Sequence, residues 1–67
     1  MIKCESSNLS EFGWKDGTLT VVFKSRAVYD YFKVPEKVFV EMQAAERKGK
    51  FLNAFVKSVY NYKKVNN

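Results

Sequence analysis

Histidine is absent from this sequence, and cysteine occurs once, at Cys4. A single cysteine excludes an intrachain disulfide, and without histidine the chain has no ligand set for a structural zinc site. General acid–base catalysis would depend on carboxylates or tyrosine, but the spacing of the seven Asp and Glu residues implies no close pair. No base accompanies Cys4 in the pattern to make it a nucleophile. We therefore predict a protein that is not an enzyme and has no catalytic residues, cofactor or metal site.

Glycine and proline are also scarce, at three residues and one, and no apolar run is long enough for a signal peptide or a membrane span. Aromatic side chains are plentiful by contrast, with six Phe, four Tyr and one Trp in 67 residues. A small domain hides only about 60% of its chain surface, so this aromatic content argues for one compact core rather than disorder. We expect residues 1–67 to form a single domain in the cytoplasm, with no membrane partner.

Acidic residues are missing from the last third of the chain. Residues 1–46 carry six Lys or Arg against seven Asp or Glu, whereas residues 47–67 carry six basic residues and no acid. The basic residues of this segment are Arg47, Lys48, Lys50, Lys57, Lys63 and Lys64. Such asymmetry favours a polyanionic partner whose phosphates the cations contact, although a solvated, solubilising surface would show the same charges.

A two-residue turn at Asp16-Gly17 predicts a β-hairpin, because these residues tolerate the positive φ angles of a type I′ turn. With Lys15 facing Thr18, the alternation of side chains places three further pairs on one face of the hairpin. The pairs are Trp14 with Leu19, Phe12 with Val21 and Ser10 with Phe23. Five of these six residues are apolar, so we predict that this face joins the core.

The third strand, at about residues 28–33, has to keep Asp30 out of the core. A two-residue loop before it would bury this carboxylate without a partner, which is costly. We therefore predict a three-residue loop at residues 25–27. The resulting pairs are Tyr29 with Phe23 and Tyr31 with Val21.

The two faces of this sheet predict different roles. Tyr29 and Tyr31 have the spacing of a stacking platform for RNA bases, but the register places both rings on the core face, and we predict core positions for them. Apolar residues on the opposite face predict a protein interface, for which a homodimer contact is one candidate. The residues concerned are Val22, Val28 and Phe32.

Two helices are expected after the strands. Val34-Pro35-Glu36 starts the first, because proline fits the first helical turn and forces the preceding residue to be extended. Gly49 is the expected break, and a second helix of about 12 residues follows it. Its apolar face would consist of Phe51, Leu52, Phe55, Val56 and Val59. Its opposite face would carry a basic stripe of Lys50, Asn53, Lys57, Asn61 and Lys64. The predicted fold class is α+β, a three-stranded antiparallel β-meander followed by two α-helices on one face, in the order β-β-β-α-α.

Several short motifs occur in order along the chain. They are Ser6-Ser7-Asn8-Leu9, Phe12-Gly13-Trp14, Tyr29-Asp30-Tyr31-Phe32, Val34-Pro35, Gly49-Lys50-Phe51-Leu52-Asn53 and Tyr60. In these motifs the sequence resembles the KTSC family, over about residues 4–62. That family is named after an extension at the C-terminus of some lysyl-tRNA synthetases and includes free-standing small proteins of bacteria and phages. The resemblance implies the same β-β-β-α-α fold and, through the synthetases, RNA binding.

The chain departs from the family pattern at two places. Members often have Ser where Arg47 stands, which would cap a helix, and Gly near Arg26 and Ala27 in the second turn. Both departures add positive charge to this chain.

Two hypotheses about function remain open from the sequence. The first is nonspecific or weakly specific binding of nucleic acid, RNA more than DNA, by the six basic residues of 47–64. The second is a small interaction protein, such as a phage-encoded inhibitor or adaptor of a host protein, acting through the outer sheet face or the basic helix. Phosphate contacts weaken steeply with salt and an apolar sheet contact does not, so salt dependence separates the two.

Overall fold

Five short strands and two short helices lie along residues 1–4 and 8–65, the part of the chain that the computed structural model describes. In chain order they are β1 Ile2–Lys3, β2 Leu9–Lys15, β3 Thr18–Phe23, β4 Val28–Tyr31, α1 Glu36–Ala44, α2 Lys48–Phe55 and β5 Tyr62–Lys64. The predicted α+β class is confirmed.

All five strands form one antiparallel sheet in the order β1-β2-β3-β4-β5. The sequence predicted only the three central strands, and the structure adds one strand at each edge. β1 pairs Ile2 with Phe12, and β5 pairs Tyr62 with Tyr31. The prediction missed both because strands of two and three residues are too short for side-chain alternation to reveal them.

The first hairpin, β2 with β3, has the predicted turn and the predicted register beside it. Asp16 and Gly17 have φ angles of 49° and 86°, as a type I′ turn requires. Three of the four predicted pairs are confirmed: Lys15 with Thr18, Trp14 with Leu19 and Phe12 with Val21.

A β-bulge changes the register further from the turn. Ser10 is an extra residue in β2, so Leu9 rather than Ser10 lies opposite Phe23. The predicted pair of Ser10 with Phe23 was therefore wrong. Because the bulge shifts the alternation by one residue, Leu9 faces the core and is fully buried.

The loop between β3 and β4 has the predicted three residues but starts one residue earlier, at Lys24. The Phe23 amide donates to the Ala27 carbonyl at 2.9 Å, which closes the loop around residues 24–26. Arg26 ends it with a φ of 75°, the left-handed conformation that this loop type needs at its last position. Because Arg26 is the residue in the left-handed conformation, the loop consists of residues 24–26 rather than 25–27.

The earlier loop shifts the β3–β4 register by two residues from the prediction. Tyr31 lies opposite Leu19 rather than Val21, and Tyr29 lies opposite Val21 rather than Phe23. Because a shift of two preserves the face of every side chain, both tyrosines remain on the core side. Asp30 remains on the outer face, where its Oδ1 accepts a hydrogen bond of 2.7 Å from Thr20 Oγ1.

The core lies between the sheet and the two helices. Phe39 of α1 packs edge-on against Phe12 of the sheet, with ring centroids 5.7 Å apart. Neither α1 nor α2, the helices of the described residues, has the length and hydrophobicity needed to cross a bilayer. The fully buried apolar side chains of the described residues are Leu9, Phe12, Leu19, Val21, Tyr31, Val34, Met42, Leu52 and Val56.

Helix α2 differs from its prediction at both ends. Gly49 does not break the chain but lies buried in the first turn of α2, and the two helices are separated at residues 45–47. The helix stops at Phe55, and Val56 already has a φ of −121°. Phe55 and Val59, predicted for the apolar face, are 59% and 64% exposed. After the helix the chain turns back, and residues 62–64 pair with β4.

Arg47 is the N-cap residue of α2, and its side chain makes no capping hydrogen bond. A serine hydroxyl at this position would accept a hydrogen bond from an unpaired amide of the first turn, which typically contributes about 1 kcal/mol. We expect Arg47→Ser to raise the free energy of unfolding by about 1 kcal/mol, as measured by urea denaturation. Arg47→Ala is the control, because it removes the cation from the helix N-terminus without supplying an acceptor. Equal stability of the two variants would show that serine forms no cap here.

Candidate nucleic-acid interface

Three tyrosine rings meet where β5 pairs with β4. Tyr62 lies opposite Tyr31 in the sheet, so its side chain is on the core face. The ring centroid of Tyr62 is 5.5 Å from those of Tyr29 and Tyr31, which are themselves 6.5 Å apart. These distances are typical of aromatic pairs that stabilise one another. We call Tyr29, Tyr31 and Tyr62 the tyrosine cluster.

The three tyrosines differ strongly in exposure. Tyr31 is 1% exposed, Tyr29 is half-buried, and Tyr62, on the edge strand, is 52% exposed. Burial raises the pKa of the Tyr31 hydroxyl, and the nearby Tyr62 and Tyr29 raise it further, so this side chain is a neutral phenol at physiological pH. Tyr31 is therefore a core residue, as predicted, whereas Tyr62 presents an aromatic ring to solvent.

An open cleft of about 360 Å³ lies between the tyrosine cluster and the β3–β4 loop. On the loop side, Phe23 packs edge-on against Tyr29 with ring centroids 5.5 Å apart. Among the described residues, none that lines this space carries a carboxylate. We call it the tyrosine cleft, and its lining residues are Phe23, Ser25, Ala27, Tyr29, Tyr31, Lys57 and Tyr62.

One lysine lines the tyrosine cleft, and a second lies on the same sheet face as the exposed tyrosine. Lys57 is one of its lining residues, and its amide donates to the Leu52 carbonyl at 2.8 Å, which anchors it to the end of α2. Lys64 lies opposite Tyr29 in the sheet, so it shares the face of β5 on which Tyr62 lies. Cations beside an exposed aromatic ring match the two parts of a nucleotide, its phosphate and its base.

The basic stripe predicted for the second helix does not exist as a helix face. Lys50 lies on α2, but Lys57 follows the end of that helix and Lys64 belongs to β5. The stripe was wrong because it assumed a helix of about 12 residues, whereas α2 has eight. Of the six predicted cations, Lys57 lines the cleft and Lys64 lies on the same face of β5 as Tyr62. Lys63 lies opposite Asp30, so it belongs to the outer face.

The remaining predicted cations, Arg47, Lys48 and Lys50, lie at the start of α2. Lys48 Nζ donates a hydrogen bond of 2.8 Å to the Ala45 carbonyl, so one of its N–H donors is already engaged within the protein. Burial raises the pKa of the Cys4 thiol, and the charges of Lys48 and Lys24 oppose that shift. The Cys4 thiol therefore lies within electrostatic range of Lys24 in the β3–β4 loop and of Lys48 in α2.

Tyr62 is a residue to which the sequence analysis assigns no role. The structure makes it the exposed member of the tyrosine cluster. No alternation of apolar and polar residues marks residues 62–64 as a strand, so the sequence pattern gave no signal for the position of Tyr62.

The residues predicted for a protein interface lie on or beside the other face of the sheet. Val22 and Val28 are directly opposite each other on β3 and β4, and both are half-buried. Phe32 follows β4 by one residue and is 39% exposed. Their role as an interface stays a prediction.

A family model for the KTSC domain matches residues 5–60, which is most of the chain. The chain belongs to the KTSC domain family. Among curated proteins, it is 36% identical over 67 residues to a lysine–tRNA ligase of Nostoc punctiforme, a match that covers 97% of this chain and 12% of that ligase. It is 38% identical over 55 residues to a protein of Tsukamurella paurometabola, covering 79% of this chain and 82% of that protein.

A solved KTSC structure has the same fold. The crystal structure of a KTSC domain protein from Yersinia pestis superposes with a TM-score of 0.90 at 26% identity. The superposition covers 96% of this chain and 93% of that one. The five-stranded sheet with two helices is therefore the KTSC fold, and the chain spans only 12% of the length of the Nostoc ligase that it matches.

Proposed function

We propose that this KTSC domain is a cytoplasmic nucleic-acid-binding module that contacts phosphates through the cations of its C-terminal third. The observation that carries the proposal is the charge distribution: residues 47–67 hold six Lys or Arg and no acid. One of these cations, Lys57, lines an aromatic cleft whose described lining contains no carboxylate, and another, Lys64, lies on the same face of β5 as Tyr62. Phosphate groups are the ligands that such exposed lysines bind without reading sequence.

RNA is favoured over DNA as the partner. The Nostoc punctiforme relative is a lysine–tRNA ligase, an enzyme named for a tRNA substrate, and this chain matches a part of it at 36% identity. A domain that occurs within such an enzyme is well placed to contribute phosphate contacts to RNA. The preference rests on association and is therefore part of the proposal.

We also propose that the module binds without catalysing a reaction. Burial raises the pKa of the Cys4 thiol above its ordinary value, so little of it is the nucleophilic thiolate at neutral pH. The sequence contains no histidine that could act as its base.

Salt dependence of RNA binding tests the proposed function. Lys57→Gln/Lys64→Gln removes two exposed cations at the cleft, and loss of two phosphate contacts on a single strand should flatten the slope of log K against log salt by roughly 1 to 1.5. The measurement is fluorescence anisotropy of a labelled single-stranded RNA at increasing KCl. Exposed substitutions of this kind change stability by only about 0.5 kcal/mol each, so the fold should persist.

The matched control is Lys15→Gln/Lys37→Gln, which removes the same charge from the first hairpin turn and from α1. Both control lysines are exposed, and this variant should keep the wild-type slope. Equal flattening in the two variants would mean that only net charge matters and would remove the cleft from the proposal. Wild-type protein that does not bind RNA or DNA at low salt would overturn the proposed function.

A protein-interaction module is the second candidate, favoured by the face of the sheet turned away from the helices. Val22 and Val28 form an apolar pair there, and Phe32 nearby is 39% exposed. A complex of this kind, with a host protein or a second copy, would survive nuclease and high salt, because burial of apolar surface is not screened. It would be weakened by Phe32→Ala and unaffected by Lys57→Gln/Lys64→Gln.

A further inference from the structure

We propose that the tyrosine cleft binds an unpaired base of single-stranded RNA, stacked on the ring of Tyr62, while Lys57 and Lys64 contact the flanking phosphates. This inference rests on the proposed function and narrows it from a polyanion to a strand with accessible bases. The stacking residue is Tyr62 and not Tyr29 or Tyr31, which the sequence analysis assigned to the core.

The Tyr62 ring is exposed on a strand that the sheet supports. Half of this side chain is exposed, although two other tyrosine rings contact it. Backbone hydrogen bonds at both ends of β5 hold the strand that carries Tyr62 against β4. The Phe32 amide donates to the Asn61 carbonyl at 2.9 Å, and the Val65 amide donates to the Val28 carbonyl at 2.7 Å. The ring is therefore presented on a supported strand, which lowers the ordering cost of binding.

Two lysines lie on segments that adjoin that ring. Lys64 is two residues from Tyr62 on the same face of β5, which separates their Cα atoms by about 7 Å. Lys57 lines the same cleft from the end of α2. Two flexible cations thus reach the surroundings of one aromatic ring from different elements. Charge complementarity selects an anionic ligand, and the exposed ring selects one that also carries a flat π-system.

The cleft should distinguish a single strand from a duplex. Bases inside a duplex are stacked on one another and cannot stack on a protein ring, whereas unpaired bases are free to do so. Apart from the lysine, the polar side-chain groups of the lining are the Ser25 and tyrosine hydroxyls, so few side chains can read a base edge. We therefore expect a marked preference for single strands and little preference among bases.

The test compares three labelled probes by fluorescence anisotropy: a short RNA strand of mixed sequence, the same strand as a duplex, and an abasic strand of equal length. The single strand should bind wild-type protein about tenfold more tightly than the abasic strand, as the loss of one base–aromatic stack implies. Tyr62→Leu keeps a large apolar side chain against Tyr31 but has no π face, so it should lower the affinity for the single strand about tenfold and leave the abasic strand unchanged. Tyr62→Phe should retain wild-type affinity.

Phe55→Leu is the matched control, because Phe55 is an aromatic residue of similar exposure on α2, outside the cleft lining. It should bind all three probes like the wild type. As a measurement that needs no variant, an RNA with 2-aminopurine should lose fluorescence on binding wild-type protein, because stacking quenches that base.

The two proposals fail differently. Equal affinity for the single strand and the abasic strand, or wild-type binding by Tyr62→Leu, would overturn base stacking and leave phosphate binding in place. No binding of any probe at low salt would overturn the proposed function together with this inference.

Discussion

Tyr31→Ala is expected to lower the free energy of unfolding by about 3 kcal/mol, the cost of removing a large side chain from a packed core. Tyr31, the last residue of β4, is 1% exposed and lies against both Tyr62 and Tyr29. A 67-residue domain has a total stability of roughly 3 to 10 kcal/mol, so this one change removes about 30% of it or more. Urea denaturation followed by circular dichroism measures the loss.

Phe32→Ala is the control for Tyr31→Ala, because Phe32 is the next residue in the chain and is 39% exposed. We expect it to cost less than about 1 kcal/mol, as surface changes usually do. Since a slip of one residue exchanges the two faces of a strand, the ratio of these two losses tests the face assignment of β4. A larger loss for Phe32→Ala would show that the outer face, not the tyrosine cluster, belongs to the core.

Local turn chemistry explains why the first hairpin could be predicted. Asp16 and Gly17 occupy the positive φ angles that a type I′ turn requires, and the pairs next to that turn were predicted correctly. The turn needs no contact with a distant part of the chain. The register of this hairpin could therefore be predicted from the two turn residues and the alternation of apolar residues on either side of them.

The β3–β4 loop shows the limit of such reasoning. The costly burial of Asp30 correctly required a loop with an odd number of residues, and that placed Tyr29 and Tyr31 on the core face. It did not say where the loop begins, because no glycine marks the left-handed position, which Arg26 occupies. The faces were therefore predicted and the pairing partners were not.

The candidate site depended on contacts that the sequence pattern does not contain. The basic composition of residues 47–67 was visible, but its arrangement depends on where α2 ends. Pairing of residues 62–64 with β4 makes that segment a strand, and this pairing brings Tyr62 and Lys64 to the cleft. Lys50, Lys57 and Lys64 have helical spacing, but the hydrogen bonds between β5 and β4 place Lys64 in a strand. The sequence therefore predicted the charges but not their arrangement in the site.

Leu9→Ala is expected to lower the free energy of unfolding by about 3 kcal/mol, whereas Ser10→Ala should change it by less than about 0.5 kcal/mol. The bulge at Ser10 is the reason, since it puts Leu9 opposite Phe23 and buries it completely. A regular strand would instead place Ser10 on the core face and turn Leu9 to the outer face. The same denaturation measurement on both variants decides between these registers. A small loss for Leu9→Ala would show that β2 continues without the bulge and that its first residues pair as the plain alternation predicts.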